Sequence, residues 1–177
     1  MTEKTKKKKT KKTDVVSPFS YKNLDKNTGF MFFQLATLWK HQQDMLLRNL
    51  FSISQIQYAI LASLYWRFLN DEEVSQTAML KHTKISKMNL SNNIKVLESR
   101  GYIVIRNNDN DARKSNLALT TQGEELITKA IQLIEPYDVQ FFSGIGKDIE
   151  KFDKMLGSLV EYNEHKNYLY FLPSGSY

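Results

Sequence analysis

Hydrophobic positions recur at helical spacing through the first half of the chain. A long first helix that closes near Asn49 is predicted from the apolar residues Phe30, Phe33, Leu35, Leu38, Trp39, Met45 and Leu46. A second stripe, Ile56–Phe68, predicts another helix. Ser52 and Gln55 stand at the S-x-x-Q spacing of a capping box and predict where this second helix starts.

Two shorter helices are expected next, each with its own start signal. Ser75 is a predicted N-cap for a helix over Gln76–His82, and Ser86 is the predicted N-cap of the following helix. Gly101 stands where a C-cap glycine ends that helix.

The helix after Ser86 has two contrasting faces. One face is apolar and is expected to be buried: Leu90, Ile94 and Leu97. The opposite face carries Met88, Ser91, Asn92, Lys95 and Ser99. Amide, hydroxyl and lysine groups are suited to base edges and phosphates, whereas a merely solvated helix carries a mixture of Glu and Lys.

A predicted β-hairpin follows this helix directly. Tyr102–Arg106 forms one strand, the turn-rich stretch Asn107–Arg113 follows, and Ser115–Thr120 alternates as a second strand. Two short helices, the second with a polar exposed face, followed at once by a hairpin, predict a helix-turn-helix with a wing. In such a motif the second helix enters the major groove and the wing reaches the minor groove or the backbone.

The chain is expected to end in two further helices. Thr121 and Glu124 form a second predicted capping box, and the helix that they open is expected to be interrupted or kinked at Pro136. A final amphipathic helix is predicted over Lys147–Glu164, followed by a frayed tail over 167–177.

Charge is concentrated in two segments. Residues 1–13 contain seven lysines and one glutamate, and 1–26 as a whole is expected to be a basic, disordered arm. Residues 81–114 contain eight basic and three acidic groups. This asymmetry favours one face that meets phosphate, although ordinary solvated charges give the same composition.

Several classes of protein are disfavoured by composition. The chain has no cysteine and only three histidines, so no disulfide, metal site or cofactor is expected. No P-loop, G-x-S-x-G, G-x-G-x-x-G or H-E-x-x-H motif supports an enzyme. Without a long apolar run or a secretory signal, we expect no membrane span and a cytoplasmic protein.

The segment from Leu97 to Gly123 resembles the signature of the MarR family of winged helix-turn-helix regulators. The matching positions are Leu97-Glu98, Gly101, Arg106, Asp111-Ala112-Arg113, Leu119-Thr120 and Gly123, and the Q-Y-x-I-L of 57–61 also fits. The resemblance covers about 29–163. It implies a mainly α fold with a small β-hairpin wing, in one domain that spans 27–166. The part that reads DNA covers about 52–121, and dimerisation helices flank it at about 28–50 and 122–166.

The resemblance also implies roles for residues of the wing. Arg113 is the arginine expected to enter the minor groove, and Asp111 is expected to brace the wing, with a plain Asx turn as the alternative. Arg106 is expected either to contact phosphate or to pair internally with an acid. Many relatives carry a second arginine directly after the D-x of the wing, where this chain has only Arg113 followed by Lys114.

The function expected from these features is sequence-specific regulation of transcription by a homodimer on a pseudo-palindromic operator in double-stranded DNA, acting as a repressor that a small ligand relieves. The alternative is an architectural winged helix that binds DNA without sequence preference or binds another protein. The predicted DNA-binding residues are Lys84, Lys87, Met88, Asn89, Ser91, Asn92, Lys95, Arg106, Arg113 and Lys114. Trp39, Tyr58 and Tyr65 are candidates for an effector site, with core or interface packing as the other reading.

Overall fold

A computed structural model describes residues 19, 23–72, 74–108, 111–164 and 166, with backbone only for 107, 108 and 111–115. The lysine-rich segment 1–13 and the predicted tail 167–177 lie outside the described residues. The chain divides within its first long helix, between Leu38 and Trp39, into two compact units.

Most of the described residues are helical. The helices are α1 (Thr28–Phe51), α2 (Gln55–Leu69), α3 (Gln76–Thr83), α4 (Lys87–Ser99), α5 (Thr121–Phe142) and α6 (Ile149–Glu164). The strands are β1 (Val74–Ser75), β2 (Ile103–Asn108) and β3 (Asp111–Leu119), and short 3-10 turns occupy Leu24–Lys26 and Ser143–Asp148. The mainly helical winged helix-turn-helix fold expected from the sequence is confirmed.

The strands form one small antiparallel sheet in the order β1-β3-β2. Ile103 pairs with Leu119 along the hairpin, and Val74 of the two-residue strand β1 pairs with Leu117. The sequence pattern did not predict β1, because two residues are too few to show alternation. The hairpin is longer than expected, since β2 continues to Asn108 and β3 begins at Asp111, within the stretch interpreted as a turn.

One apolar core joins the helices of the second unit to the sheet. Its most deeply buried side chains come from every helix except α6, from the turn between α1 and α2, and from the start of β2: Leu47, Ile53, Ile60, Leu61, Met79, Leu90, Ile94, Leu97, Ile103, Ile127 and Ile134. Burying large aliphatic side chains of this kind stabilises a fold by about 1.5–3 kcal/mol each. The predicted inward face of the helix after Ser86 is therefore confirmed.

The predicted start of the second helix was two residues too early. Helix α1 continues to Phe51, and Ser52 turns the chain with a φ of 55°. The capping box is formed by Ser54 and Gln57: the Ser54 hydroxyl accepts from the Gln57 N–H at 3.2 Å, and the Gln57 side chain accepts from the Ser54 N–H at 2.9 Å. The N-caps predicted at Ser75 and Ser86 are confirmed.

The last helices differ from expectation at both ends. Thr120, not Thr121, caps α5, and its hydroxyl accepts from the Gly123 N–H, so Glu124 takes no part in a capping box. Helix α5 is not interrupted at Pro136, although the proline removes one backbone donor. Ile134 is buried in the core before the proline, and Asp138 accepts a hydrogen bond from the Trp39 indole after it.

The chain before α6 takes a different form from the one predicted. Residues from Lys147 belong to the 3-10 turn Ser143–Asp148, in which Gly146 has a φ of 61°, and α6 begins at Ile149. At the other end of the chain, the arm predicted as disordered to residue 26 finishes in an ordered turn, where the Asn23 side chain accepts from the Asp25 N–H. Within the described residues, no helix is long and apolar enough to cross a membrane.

Candidate nucleic-acid interface

Helix α4 presents its polar face to solvent because its apolar face is fixed in the core. Leu90, Ile94 and Leu97 are at most 1% exposed. The residues predicted to read DNA on this helix are exposed, except for Ser91, which is half-buried: Lys87, Met88, Asn89, Asn92 and Lys95. The structure therefore brings these side chains together on one accessible surface, which we call the reading face.

Two neighbouring amides on α4 have different surroundings. The Asn93 side chain donates to the Asn89 carbonyl at 2.8 Å, so it is occupied by its own helix. Asn92 is exposed, and its side chain makes no hydrogen bond to another described residue. An amide in the second situation has both its donor and its acceptor available to a base.

Lys84 occupies the turn between α3 and α4. It caps α3 in the left-handed region, with φ 57° and ψ 13°, and its N–H donates to the Leu80 carbonyl. Its ammonium forms an ion pair with the carboxylate of Glu164, the last residue of α6. The predicted DNA-binding lysine thus already has an anionic partner in the protein.

Arg100 lies at the C-terminal end of α4, and the sequence pattern did not indicate its role. Its guanidinium donates to the Ser52 carbonyl at 2.8 Å and lies 5.0 Å from the centre of the Tyr102 ring. Gly101 follows with a φ of 74°, and the Thr120 hydroxyl donates to its carbonyl at 2.6 Å. These contacts position the end of α4 against the α1–α2 corner and the base of the hairpin.

The wing carries the remaining predicted residues. Arg106 is exposed and lies opposite Asn116 in the hairpin register, and no ion pair to an acid is recorded for it among the described residues. The backbone of β3 includes Asp111, Arg113 and Lys114, and their side chains lie outside the described residues.

The candidate effector residues do not all converge. The Trp39 indole donates to the Asp138 carboxylate at 2.8 Å, and the buried Gln43 amide lies 3.5 Å from the same oxygen. Burial, and then the charge of Asp138, raise the pKa of Tyr58 to about 12. Among the described residues, no hydrogen bond or ring contact joins Tyr65 to this cluster, and its ring stacks on Phe68 at the end of α2.

Asp138 is the shared member of this cluster, and no sequence motif marked it. Burial raises the pKa of Asp138 above its ordinary value, and Glu135 adds to this, while the hydrogen bonds from Trp39 and Gln43 act in the opposite direction. An open, mostly apolar cavity of about 470 Å³ lies beside it, lined by Asp138, Val139, Phe142, Ser143, Gly146 and Ile149.

Comparison with known proteins relates the central part of the chain to one family. The model of the MarR family matches residues 53–114, which run from the α1–α2 corner through α4 and into the wing. This part of the chain is similar to the MarR family. The resemblance predicted from the wing signature is thereby confirmed, and the curated relative that shares it is an HTH-type transcriptional regulator.

Individual relatives agree with this assignment. The chain is 27% identical over 138 residues to YdcH of Bacillus subtilis, an uncharacterized HTH-type transcriptional regulator, with 78% of this chain and 90% of YdcH covered. The fold is similar to that of Staphylococcus aureus MepR in a DNA complex, with a TM-score of 0.70 and 20% identity. The comparison covers 77% of this chain and 97% of the MepR chain. It also resembles that of AbsC of Streptomyces coelicolor, with a TM-score of 0.69 and 22% identity. Here the comparison covers 77% of this chain and 91% of the AbsC chain.

Proposed function

We propose that this chain is a MarR-family regulator that binds a pseudo-palindromic operator as a homodimer and reads it with the exposed face of α4. The observation that carries the proposal is the complete burial of Leu90, Ile94 and Leu97, which leaves only the reading face for DNA. A helix of this kind fits the major groove, where each base pair shows a distinct pattern of donors and acceptors.

The proposed contacts fall into two groups. Asn89, Ser91, Asn92 and Met88 approach base edges, because amides and hydroxyls form hydrogen bonds with bases and a thioether packs against a thymine methyl group. The basic residues contact phosphate or the minor groove: Lys84, Lys87, Lys95, Arg106, Arg113 and Lys114. Asp111 braces the wing in this proposal.

Exposed apolar side chains in both units support the homodimer. In the first unit, α1 exposes Met31, Phe32, Phe33, Leu35 and Leu38. In the second unit, α5 and α6 expose Val139, Met155, Leu159, Val160 and Tyr162. A stable monomer seldom leaves this many large apolar groups in water, so a second copy of the chain is the proposed cover.

DNA-bound relatives support the same use of the fold. MepR of S. aureus was solved as a DNA complex, and a mutant of Escherichia coli MarR was solved with operator DNA. The latter has a TM-score of 0.65 and 18% identity, and the comparison covers 75% of this chain and 92% of that one.

Relief of repression by a small ligand is the remaining part of the proposal. The cluster of Trp39, Gln43, Tyr58 and Asp138 offers aromatic and polar groups near α1, α2 and α5, next to an open cavity. Sites for small molecules commonly combine apolar walls with a few polar groups in this way. Tyr65 is not part of this candidate site.

Selection of bound duplexes from random DNA, at about 0.15 M salt, tests the proposal. The expected result is a motif with internal two-fold symmetry and half-sites about 10 base pairs apart or a multiple of this spacing. Binding without any enriched motif, together with a steep salt dependence, would instead support the architectural alternative.

A further inference from the structure

One ion pair connects the turn before α4 to the C-terminal end of α6. Lys84 and Glu164 are eighty positions apart, and Glu164 is the last residue of α6. The other two ion pairs recorded among the described residues join positions four or five apart. Of these three pairs, Lys84–Glu164 alone links the DNA-reading part of the molecule to the C-terminal helix.

The position of Lys84 in the turn is well defined. Its backbone N–H bonds to the Leu80 carbonyl, and the neighbouring Thr83 hydroxyl donates to the Met79 carbonyl at 2.7 Å. Ser86, the N-cap of α4, follows two residues later. The backbone of Lys84 is therefore held two residues before the N-cap of the helix that is proposed to enter the groove.

The ion pair contributes little to the stability of the fold. The side chains of Lys84 and Glu164 are 46% and 37% exposed, and pairs in such positions are worth about 0–1 kcal/mol. Its effect on an approaching polyanion is a different matter. A lysine ammonium is a compact charge, so a phosphate that binds it must displace the carboxylate or share the ammonium with it. A carboxylate left near the phosphate repels it over several ångströms.

We propose that Glu164 competes with DNA phosphate for Lys84, so that the end of α6 restrains the affinity of the protein for DNA. The inference rests on the proposed function, because it requires Lys84 to face DNA. Withdrawal of Glu164 by any movement of α6 then frees the lysine and strengthens binding. Because phosphates are the same at every base pair, this restraint acts on all DNA sequences alike.

Charge-neutralising variants of the full-length protein test this mechanism. Glu164→Gln should bind any duplex about two- to fivefold more tightly than the wild type at low salt, since it removes the competing charge and preserves side-chain size. The gain should shrink between about 50 and 300 mM salt, because screening weakens the repulsion. In the Lys84→Gln background, the same change at Glu164 should give a clearly smaller gain, because only the direct repulsion between carboxylate and phosphate is left to remove.

Glu161→Gln is the matched control, because it removes the same charge from α6 one turn earlier, and that position is not paired with Lys84. An equal gain from this control would overturn the proposal, since it would show an effect of net charge alone. A gain of the same size without Lys84, or no gain from Glu164→Gln, would also overturn it. Wild-type protein that fails to bind DNA at all would refute the proposed function itself.

Discussion

Gly123, in the first turn of α5, lies directly against the carbonyl group of Tyr102 at the start of the wing. A Cβ atom added at Gly123 would overlap the Tyr102 carbonyl oxygen and stand 2.9 Å from its carbon. The Tyr102 carbonyl also accepts from the Thr120 N–H at 3.1 Å, so it is held in place. The glycine therefore allows the first turn of α5 to pack directly against the start of the hairpin.

We expect Gly123→Ala to lower the free energy of unfolding by about 2–3 kcal/mol, because a methyl group must push backbone and not a flexible side chain. Gly157→Ala is the control. Gly157 lies within α6 with open space around its Cα, and alanine there should stabilise the protein by about 0.5–1 kcal/mol through helix propensity. Chemical denaturation measures the free energy of unfolding of both variants. Equal effects would show that the Tyr102 carbonyl can move aside.

The sequence predicted the elements of the fold better than their first residues. Ser52–Gln55 and Ser54–Gln57 both satisfy the capping-box spacing, so pattern alone could not choose between them. The choice is made by a contact eleven positions away, in which the Asp44 carboxylate accepts from the Gln55 N–H at 2.8 Å. The long helices and the faces of α4 were predictable because their signal extends over many residues.

The reading face could be predicted, but the contacts that connect it to the rest of the chain could not. Asn92 follows from helical periodicity within α4. Trp39 and Asp138 are 99 positions apart, and Arg100 reaches Ser52 across 48 positions. Pairings of this kind depend on how α1, α4 and α5 pack, and no local pattern encodes them.

Asp138 should make the protein less stable as the pH rises. Its pKa is raised above the ordinary value of 3.8, so the folded state binds the proton more tightly than the unfolded state does. The resulting stabilisation is present below that ordinary value and is lost as pH rises through the raised pKa. Asp138→Asn should therefore equal or exceed wild-type stability near neutral pH, and the difference should vanish in acid.

Asp138→Leu is the contrasting variant, since it leaves the Trp39 indole without its acceptor. It should cost about 1–2 kcal/mol and alter the Trp39 fluorescence, whereas the asparagine variant keeps an oxygen for the indole N–H. Melting curves over a range of pH distinguish the two effects. An asparagine variant that is clearly less stable than the wild type at neutral pH would contradict the burial penalty.

The proposed dimer can be tested on α6 alone. Leu159 is 58% exposed, and Leu159→Lys should convert the protein to a monomer at micromolar concentration, because an unpaired ammonium is costly in an apolar interface. Glu161→Lys, two residues further along α6 on its polar side, introduces the same group and should leave the dimer intact. Sedimentation measures both. A monomeric wild type would disprove the homodimer.

The division of labour between helix and wing gives the sharpest test of the DNA-binding proposal. The Asn92 amide can bond to adenine N6 and N7 together, which discriminates bases by about 1–3 kcal/mol. Asn92→Ala should therefore lose preference at particular half-site positions and keep its nonspecific affinity. Asn93→Ala should change neither, because the Asn93 amide is already bonded to the Asn89 carbonyl.

Arg113→Ala should behave in the opposite way to Asn92→Ala. An arginine of the wing senses minor-groove width and phosphate, where the base pattern is degenerate, so affinity should fall broadly. The loss should be greatest where flanking A·T tracts narrow the groove. Binding to consensus, mismatched and flank-swapped duplexes measures these differences, with melting curves as a control for folding. If Asn92→Ala and Arg113→Ala weakened every duplex equally, neither role would stand, and nonspecific architectural binding would explain the protein better.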